Sequence, residues 1–97
     1  MHIHIALYRW KTDTSPTKIE DALKNLEKLR GKIPGLVEIS YGENKSQFSE
    51  GYSHVILIRG ETAEAIQAYR DHPDHQAAAL AIESIEQHGI GVDFTTD

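Results

Sequence analysis

A tyrosine, two histidines and two aspartates lie within eight residues of the chain, in the segment YRDHPDHQ. An imidazole takes up a proton near neutral pH and a phenol donates one, so this composition suits acid–base chemistry. Pro73 must end one helix or begin another, because it has no backbone N–H and keeps the preceding residue out of helical geometry. Asp71 or His72 then serves as the cap of the second helix. Tyr69 and His75 remain as the pair that we expect to face a pocket.

The same segment offers ligand types for a metal ion. His72 and His75, with Asp71 and Asp74 close by, supply imidazole and carboxylate groups. Their spacing matches no familiar zinc motif, and a helix broken at Pro73 directs the side chains apart. The chain also lacks a phosphate-binding loop and a dinucleotide-binding fingerprint. We therefore predict neither a metal site nor a cofactor.

Two further histidines lie in predicted strands. In the alternating pattern, His4 shares a side with Trp10, and His54 shares a side with Tyr52. If the opposite sides of these strands pack on the helices, both histidines point into a pocket on the other face of the sheet, where all four residues would bind a substrate. Burial would then disfavour the charged form of both imidazoles. The alternative is that these are core histidines whose nitrogens are satisfied by hydrogen bonds, and for the two together both interpretations stay open.

The chain alternates between strand and helix patterns from end to end. Period-two alternation predicts strands over residues 2–10, 36–42, 52–60 and 88–96. Apolar residues at three- and four-residue steps predict a helix from Pro16 to about Gly31, and capping signals predict two shorter helices over 63–71 and 73–87. The order β-α-β-β-α-β predicts one α+β domain over residues 1–97, a ferredoxin-like four-stranded antiparallel sheet with its helices on one face.

The third predicted strand is apolar on both sides, as in a strand that is buried on both faces. Because two helical segments cover only one face of a sheet, the other face is expected to expose Trp10, Tyr52, Ile56, Ile58, Val92 and Phe94. A patch of that size is uncommon on a monomer. We therefore predict a homodimer in which two sheets pack face to face and close a dimeric α/β barrel. The alternative is a poorly patterned monomer.

Composition narrows the choice of partner and compartment. The 97 residues include 15 acidic and 10 basic side chains, so a nucleic-acid partner is not expected, since phosphate neutralisation needs a clustered positive face. There is no apolar run long enough for a membrane span, and the first residues lack the features of a signal peptide. There is no cysteine, which excludes disulfides and thiolate chemistry and fits a reducing compartment. The cytoplasm is the expected location.

The motifs together resemble one known family. HIALYRWK near the start, IPGLVEISYGEN, GYSHVILIRGET, and YRDHPDH followed by a helix and a terminal VDF are similar to the stress-responsive A/B barrel (Dabb) family over essentially the whole chain. The resemblance implies a dimeric α+β barrel. In the plant polyketide cyclases of that family, which close a linear polyketide by aldol condensation without a cofactor, the matching residues make His75 the general base and Tyr69 a substrate-polarising group. His4 and His54 match histidines that line the pocket.

Three functions follow as hypotheses. The first is a cofactor-free lyase, cyclase or isomerase that removes a proton next to a carbonyl group of a small or polyketide-like molecule, with His75 as base. The second is a non-enzymatic stress-response or ligand-binding dimer whose histidines are structural. The third, suggested by the fold alone, is a cofactor-free monooxygenase-like barrel.

Overall fold

The computed structural model describes residues 1–97 as four strands and three helices. In chain order these are β1 (His2–Trp10), α1 (Pro16–Glu27), β2 (Leu36–Glu43), β3 (His54–Gly60), α2 (Ala63–Asp71), α3 (Pro73–Ile85) and β4 (Glu86–Thr95). The predicted β-α-β-β-α-β order is confirmed, with the second helical segment divided in two at Pro73. None of the three helices combines the length and the apolar character that crossing a bilayer requires.

The strands form one antiparallel sheet in the order β2-β3-β1-β4. The two central strands, β1 and β3, pair directly, so that His4 lies opposite Ile58 and Tyr8 lies opposite His54. On its other side β1 pairs with β4, where His4 lies opposite Asp93. This register decides which side chains share a row across the sheet.

Capping residues begin the helices where the sequence predicts. Ser15 accepts a hydrogen bond from the first turn of α1, and Thr62 does the same for α2. α1 ends at Glu27, four residues before the predicted end near Gly31. Hydrogen-bonded turns continue beyond Glu27 and keep Leu29 in the core, and Gly31 then reverses the chain with φ +81°.

The helices cover the side of the sheet that carries His4 and His54. Ile56 and Ile58 on that side are 1% exposed or less and belong to the core cluster with Leu23, and Ala6 and Tyr8 pack against it. We predicted that the opposite side packs on the helices, and this is wrong. Because β3 is apolar on both sides, the alternation alone could not decide which side the helices take.

The other face of the sheet has no protein layer over it. By register its apolar residues are Ile3, Ile5, Leu7, Val55, Leu57, Ile90, Val92 and Phe94. The three on β4 are the most exposed, with values of 37%, 42% and 45%. Of the six residues predicted for this patch, Val92 and Phe94 lie on it, and Tyr52, which precedes β3, contacts Arg9 and His88 on the same side of the sheet. Ile56, Ile58 and Trp10 pack on the helix side instead. The large apolar face is therefore present, but with different residues.

Candidate active site between sheet and helices

The corner between α2 and α3 positions the two residues that the sequence singled out. His72 ends α2 with an extended conformation, and its Nδ1 accepts a hydrogen bond from the N–H of Asp74 at 3.1 Å. Pro73 is the first residue of α3, where its missing N–H costs nothing. The capping role predicted for this corner is thus met by His72. As a result, Tyr69 lies in the last turn of α2 and His75 lies in the first turn of α3.

Tyr69 and His75 are in direct contact. Their ring centroids are 4.6 Å apart with an edge-to-face arrangement, and Tyr69 is only 2% exposed. Nδ1 of His75 is buried and has no hydrogen-bond partner of acceptable geometry, the only buried side-chain nitrogen or oxygen in the chain of which this is true. Such a group is costly in a folded protein and marks a candidate site for a ligand atom.

Burial changes the acidity of both groups. It lowers the pKa of His75 below the ordinary histidine value of 6.5. A contact of the ring with the backbone of Arg70, too poorly aligned to be a regular hydrogen bond, opposes this shift, and the positive charges of His4 and Arg70 reinforce it. Burial likewise raises the pKa of Tyr69 well above its ordinary value. At neutral pH the pair is therefore an uncharged imidazole beside a protonated phenol, which is a base beside a hydrogen-bond donor.

A second phenol completes the central cluster. Tyr8 on β1 lines the same surface hollow as His75, and burial together with the nearby charge of Glu86 raises the pKa of Tyr8 to about 12. Neither Tyr8 nor Tyr69 makes a side-chain hydrogen bond within the chain, and each ring packs in or against the core. The cluster thus places three polar groups without internal partners in an apolar setting.

His4 lies in a separate, fully paired group at one end of the sheet. Its Nδ1 is 2.7 Å from Oδ1 of Asp93, and Arg70 donates to both oxygens of that carboxylate at 3.0 Å. Nη2 of Arg70 also lies 3.2 Å from Nδ1, but a carboxylate only accepts, so Nδ1 carries the hydrogen and Arg70 bonds to Asp93. The hydrogen bond from His4, with Arg70, holds the pKa of Asp93 below its ordinary value. This arrangement leaves Nε2 of His4 as the ring's acceptor.

We predict that replacing Asp93 with alanine changes the tautomer of His4. In the native chain the neutral ring should carry its hydrogen on Nδ1, because that atom faces the carboxylate. In Asp93→Ala the share of the Nδ1–H form should fall. Nitrogen-15 chemical shifts of the histidine rings at alkaline pH measure this directly, with Asp71→Ala as the control because Asp71 bonds to Gln67 instead. An unchanged His4 tautomer would show that Asp93 does not set it.

The residues predicted to line one pocket do not all lie close together, and His54 is the first exception. His54 accepts hydrogen bonds from Nε1 of Trp10 at 2.9 Å and from Ser53 at 2.8 Å. Burial is the main cause that lowers its pKa. Since His4 and His54 are four residues apart along the sheet, at about 3.3 Å per residue they are separated by roughly 13 Å. They are not the neighbouring pair that we expected, and both hydrogen bonds of His54 are made by its Nδ1.

Tyr52 is remote from this region. It lies before β3, its hydroxyl is 2.7 Å from Nδ1 of His88, and the guanidinium of Arg9 lies 4.3 Å from its ring centre. Arg9 and His88 pair in register on the uncovered face of the sheet. Tyr52 therefore belongs to that side and does not approach His75.

The space beside His75 is a shallow hollow of about 190 Å³. Its lining residues are Tyr8, Leu26, His75, Ala79, Ile82, Glu83 and Glu86. No group of three or more His, Asp or Glu side chains that could hold a metal ion occurs in the structure. The chemistry that the residues present can perform is proton transfer to or from an uncharged imidazole, with phenol groups as hydrogen-bond donors.

Four members of this region were not singled out from the sequence. They are Tyr8, Arg70, Glu86 and Asp93. Asp93 and Tyr8 could have been found only from the strand register, because each is remote in the chain from the residue that it accompanies. Arg70 lies inside the YRDHPDHQ motif itself, and its positive charge among these residues could have marked it as a member of the site.

The fold and this cluster define a class of small ferredoxin-like α+β domains that carry acid–base side chains between sheet and helices. The family model of the stress-responsive A/B barrel domain (Dabb) matches residues 3–96, so the chain belongs to that family. The match covers all four strands apart from one residue of β1, and the resemblance seen in the sequence is confirmed.

Individual relatives agree with this assignment. The chain is similar to olivetolic acid cyclase from Cannabis sativa, with 28% identity over 94 residues that cover 95% of this chain and 93% of the relative. It is also similar to a dimeric ferredoxin-like protein of unknown function from Thermobifida fusca, with a TM-score of 0.85, 29% identity and coverage of 98% and 90%. A hydroxynitrile lyase from Passiflora edulis has a TM-score of 0.86 at 14% identity, covering 99% of this chain and 93% of that one, and shows the shared fold alone.

Proposed function

We propose that this protein is a cofactor-free acid–base enzyme that removes a proton next to the carbonyl group of a small molecule, with His75 as the base. The observation that carries the proposal is the buried Nδ1 of His75, which makes no hydrogen bond of acceptable geometry within the chain and belongs to a ring packed against Tyr69. A histidine kept only for packing would be expected to have its buried nitrogens satisfied, as Nδ1 of His54 is.

The protonation state of the cluster supports this role. A base must be unprotonated before it acts, and burial keeps the imidazole of His75 neutral at physiological pH. The same lowered pKa makes the imidazolium that forms a better acid than an ordinary histidine, so it can return its proton later in the cycle. This is the behaviour expected of a lyase, cyclase or isomerase, in which a proton is taken and given back.

The phenols supply the second requirement, a donor for the oxygen that becomes negative. As the proton leaves carbon, negative charge develops on the carbonyl oxygen. A hydrogen bond that is stronger to the enolate oxygen than to the neutral carbonyl lowers the barrier. Tyr69 and Tyr8 remain protonated far above neutral pH and have no competing partner in the chain. We assign Tyr69 to this role because it touches His75, and Tyr8 as a second donor.

The paired group at the end of the sheet takes a supporting part. His4 is close enough to His75 for its charge to affect the pKa of His75. Asp93 and Arg70 hold the His4 ring in one orientation, with Nδ1 facing the carboxylate. Trp10 stacks on Tyr8 and bonds to His54, so both lie beyond the hollow, and Tyr52 contacts His88 on the other side of the sheet.

We further propose that residues 1–97 act as one domain and form a homodimer in the cytoplasm. The support for the dimer is the uncovered apolar face of the sheet, together with similarity to a chain described as dimeric. An exposed patch of this kind on a soluble protein is typical of an interface. The location rests on the absence of cysteine, which fits a reducing compartment.

The test is exchange of carbon-bound hydrogen for deuterium. A panel of small ketones and β-ketoamides in D₂O is followed by proton NMR with and without the protein. The proposal expects exchange faster than in buffer for at least one member, and a loss of that acceleration in His75→Ala. If no member exchanges faster than in buffer, proton removal next to a carbonyl is excluded for this class of compounds.

A non-enzymatic ligand-binding dimer is the second candidate, favoured by the small size of the hollow. Its 190 Å³ is below the range of roughly 300–1,000 Å³ that is usual for small-molecule sites. In this case a compound would bind beside His75 without exchange of its hydrogen, and His75→Ala would change binding or melting temperature but no rate.

A further inference from the structure

The walls and the rim of the hollow beside His75 differ in character. The inner part is formed by Leu26, Ala79 and Ile82, with the imidazole of His75 and the phenol ring of Tyr8. The only other lining residues are Glu83 and Glu86, one turn apart at the end of α3 and the beginning of β4. An apolar floor with two carboxylates at the edge is thus the surface that a substrate meets.

The volume sets an upper limit on what fits. A hollow of about 190 Å³ holds as much as about six water molecules, taking roughly 30 Å³ for each. A compound with a chain of many carbons would extend well beyond it, whereas a molecule of four or five carbons and one or two polar atoms would fill it. The geometry therefore favours small substrates.

No cation offsets the two carboxylates inside the hollow. None of its lining residues is lysine or arginine. Lys11 lies at this end, where its Nζ donates to the carbonyl of Ser84 at 3.2 Å, and one ammonium group offsets only part of two carboxylate charges. On the other side, Arg70 is held by Asp93. The whole chain also carries a net charge of −5, so no general surplus of positive charge offsets the two carboxylates.

We infer that the site takes small uncharged carbonyl compounds and that Glu83 and Glu86 exclude carboxylates and other anions from it. This inference rests on the proposed function, since it names the substrate class of the same site. Two carboxylates several ångströms from a bound ligand, in largely aqueous surroundings, should weaken binding of an added negative charge by roughly threefold to tenfold.

The experiment compares acetoacetamide with acetoacetate, which have the same number of non-hydrogen atoms and differ in charge. Dissociation constants are measured at pH 7.5 and low salt from the ring signals of His75 in protein with labelled histidine. We expect the amide to bind roughly threefold to tenfold more tightly. In the double variant Glu83→Gln/Glu86→Gln the ratio should fall below about twofold, because the repelling charges are gone.

A control variant distinguishes the effect of charge at the hollow from the effect of the net charge of the chain. Glu64→Gln/Glu61→Gln removes the same charge at the beginning of α2, outside the hollow, and should leave the ratio unchanged. Equal or tighter binding of acetoacetate, an equal effect of both double variants, or no perturbation of His75 by either compound would overturn the inference. The proposed function is tested separately by deuterium exchange, so exchange without a preference for the amide would remove this inference and leave that proposal standing.

Discussion

Replacing His75 with alanine is expected to lower kcat/KM for proton removal by about 10²–10⁴-fold. This is the usual contribution of a positioned general base. The two tyrosines cannot substitute, because Tyr69 and Tyr8 remain protonated, and Nδ1 of His4 is already paired with Asp93. The loss should be in kcat more than in KM, because the ring acts on the transition state and the apolar floor of the hollow is left in place.

His2→Ala is the matched control for this variant. His2 lies on the same sheet but does not line the hollow beside His75, so its removal should leave the rate within about twofold of the native value. Circular dichroism and melting temperature show whether each variant is folded. Full activity of folded His75→Ala on a compound that the native protein converts would remove His75 from the mechanism.

Replacing Leu57 with aspartate is expected to separate the proposed dimer into monomers. Leu57 lies opposite Ile5 on the uncovered face, in a row that continues to Val92. A twofold axis places the new carboxylate at the interface from both chains. At about 2 kcal/mol or more for each polar group buried without a partner, the association constant should fall by about a thousandfold.

Leu80→Asp provides the comparison. Leu80 is 68% exposed on α3, on the opposite side of the molecule from the uncovered sheet face, so the same change of side chain should not affect association. Sedimentation or light scattering gives the mass in solution. A native chain that is already monomeric, with a mass near 10.9 kDa, or a Leu57→Asp variant that stays dimeric, would show that this face is not the interface.

The fold followed from local patterns because each element carries its own signal. Alternation along 2–10 and the caps at Ser15 and Thr62 specify where elements begin, irrespective of the rest of the chain. The capped corner at His72 likewise follows from the chemistry of Pro73. These features depend on neighbours in sequence, so one sequence was sufficient to predict them.

The side of the sheet and the register depend on remote neighbours and could not be predicted. β3 is apolar on both sides, and Ile56 and Val55 have nearly the same hydrophobicity, so the packing of α1 and α3 decides which of them is buried. The pairing of His4 with Asp93 is a matter of register between the first and last strands, 89 residues apart in the chain. The separation of His4 from His54 has the same origin.

The central claim is that His75 is a neutral imidazole when it acts, and its titration tests this most directly. Ring carbon-bound proton signals of histidine, assigned with His75→Ala, are followed from pH 4 to 9 by NMR, beside the pH dependence of kcat/KM. The titration of the His75 ring should have its midpoint below the ordinary 6.5, and kcat/KM should rise with pH through the same midpoint and then stay level. The free energy of unfolding should also decrease as the pH falls below about 6.5, because the unfolded chain then binds the proton that buried His75 does not. A midpoint at or above 6.5, or a rate that does not follow the titration of His75, would show that His75 does not act as a neutral base.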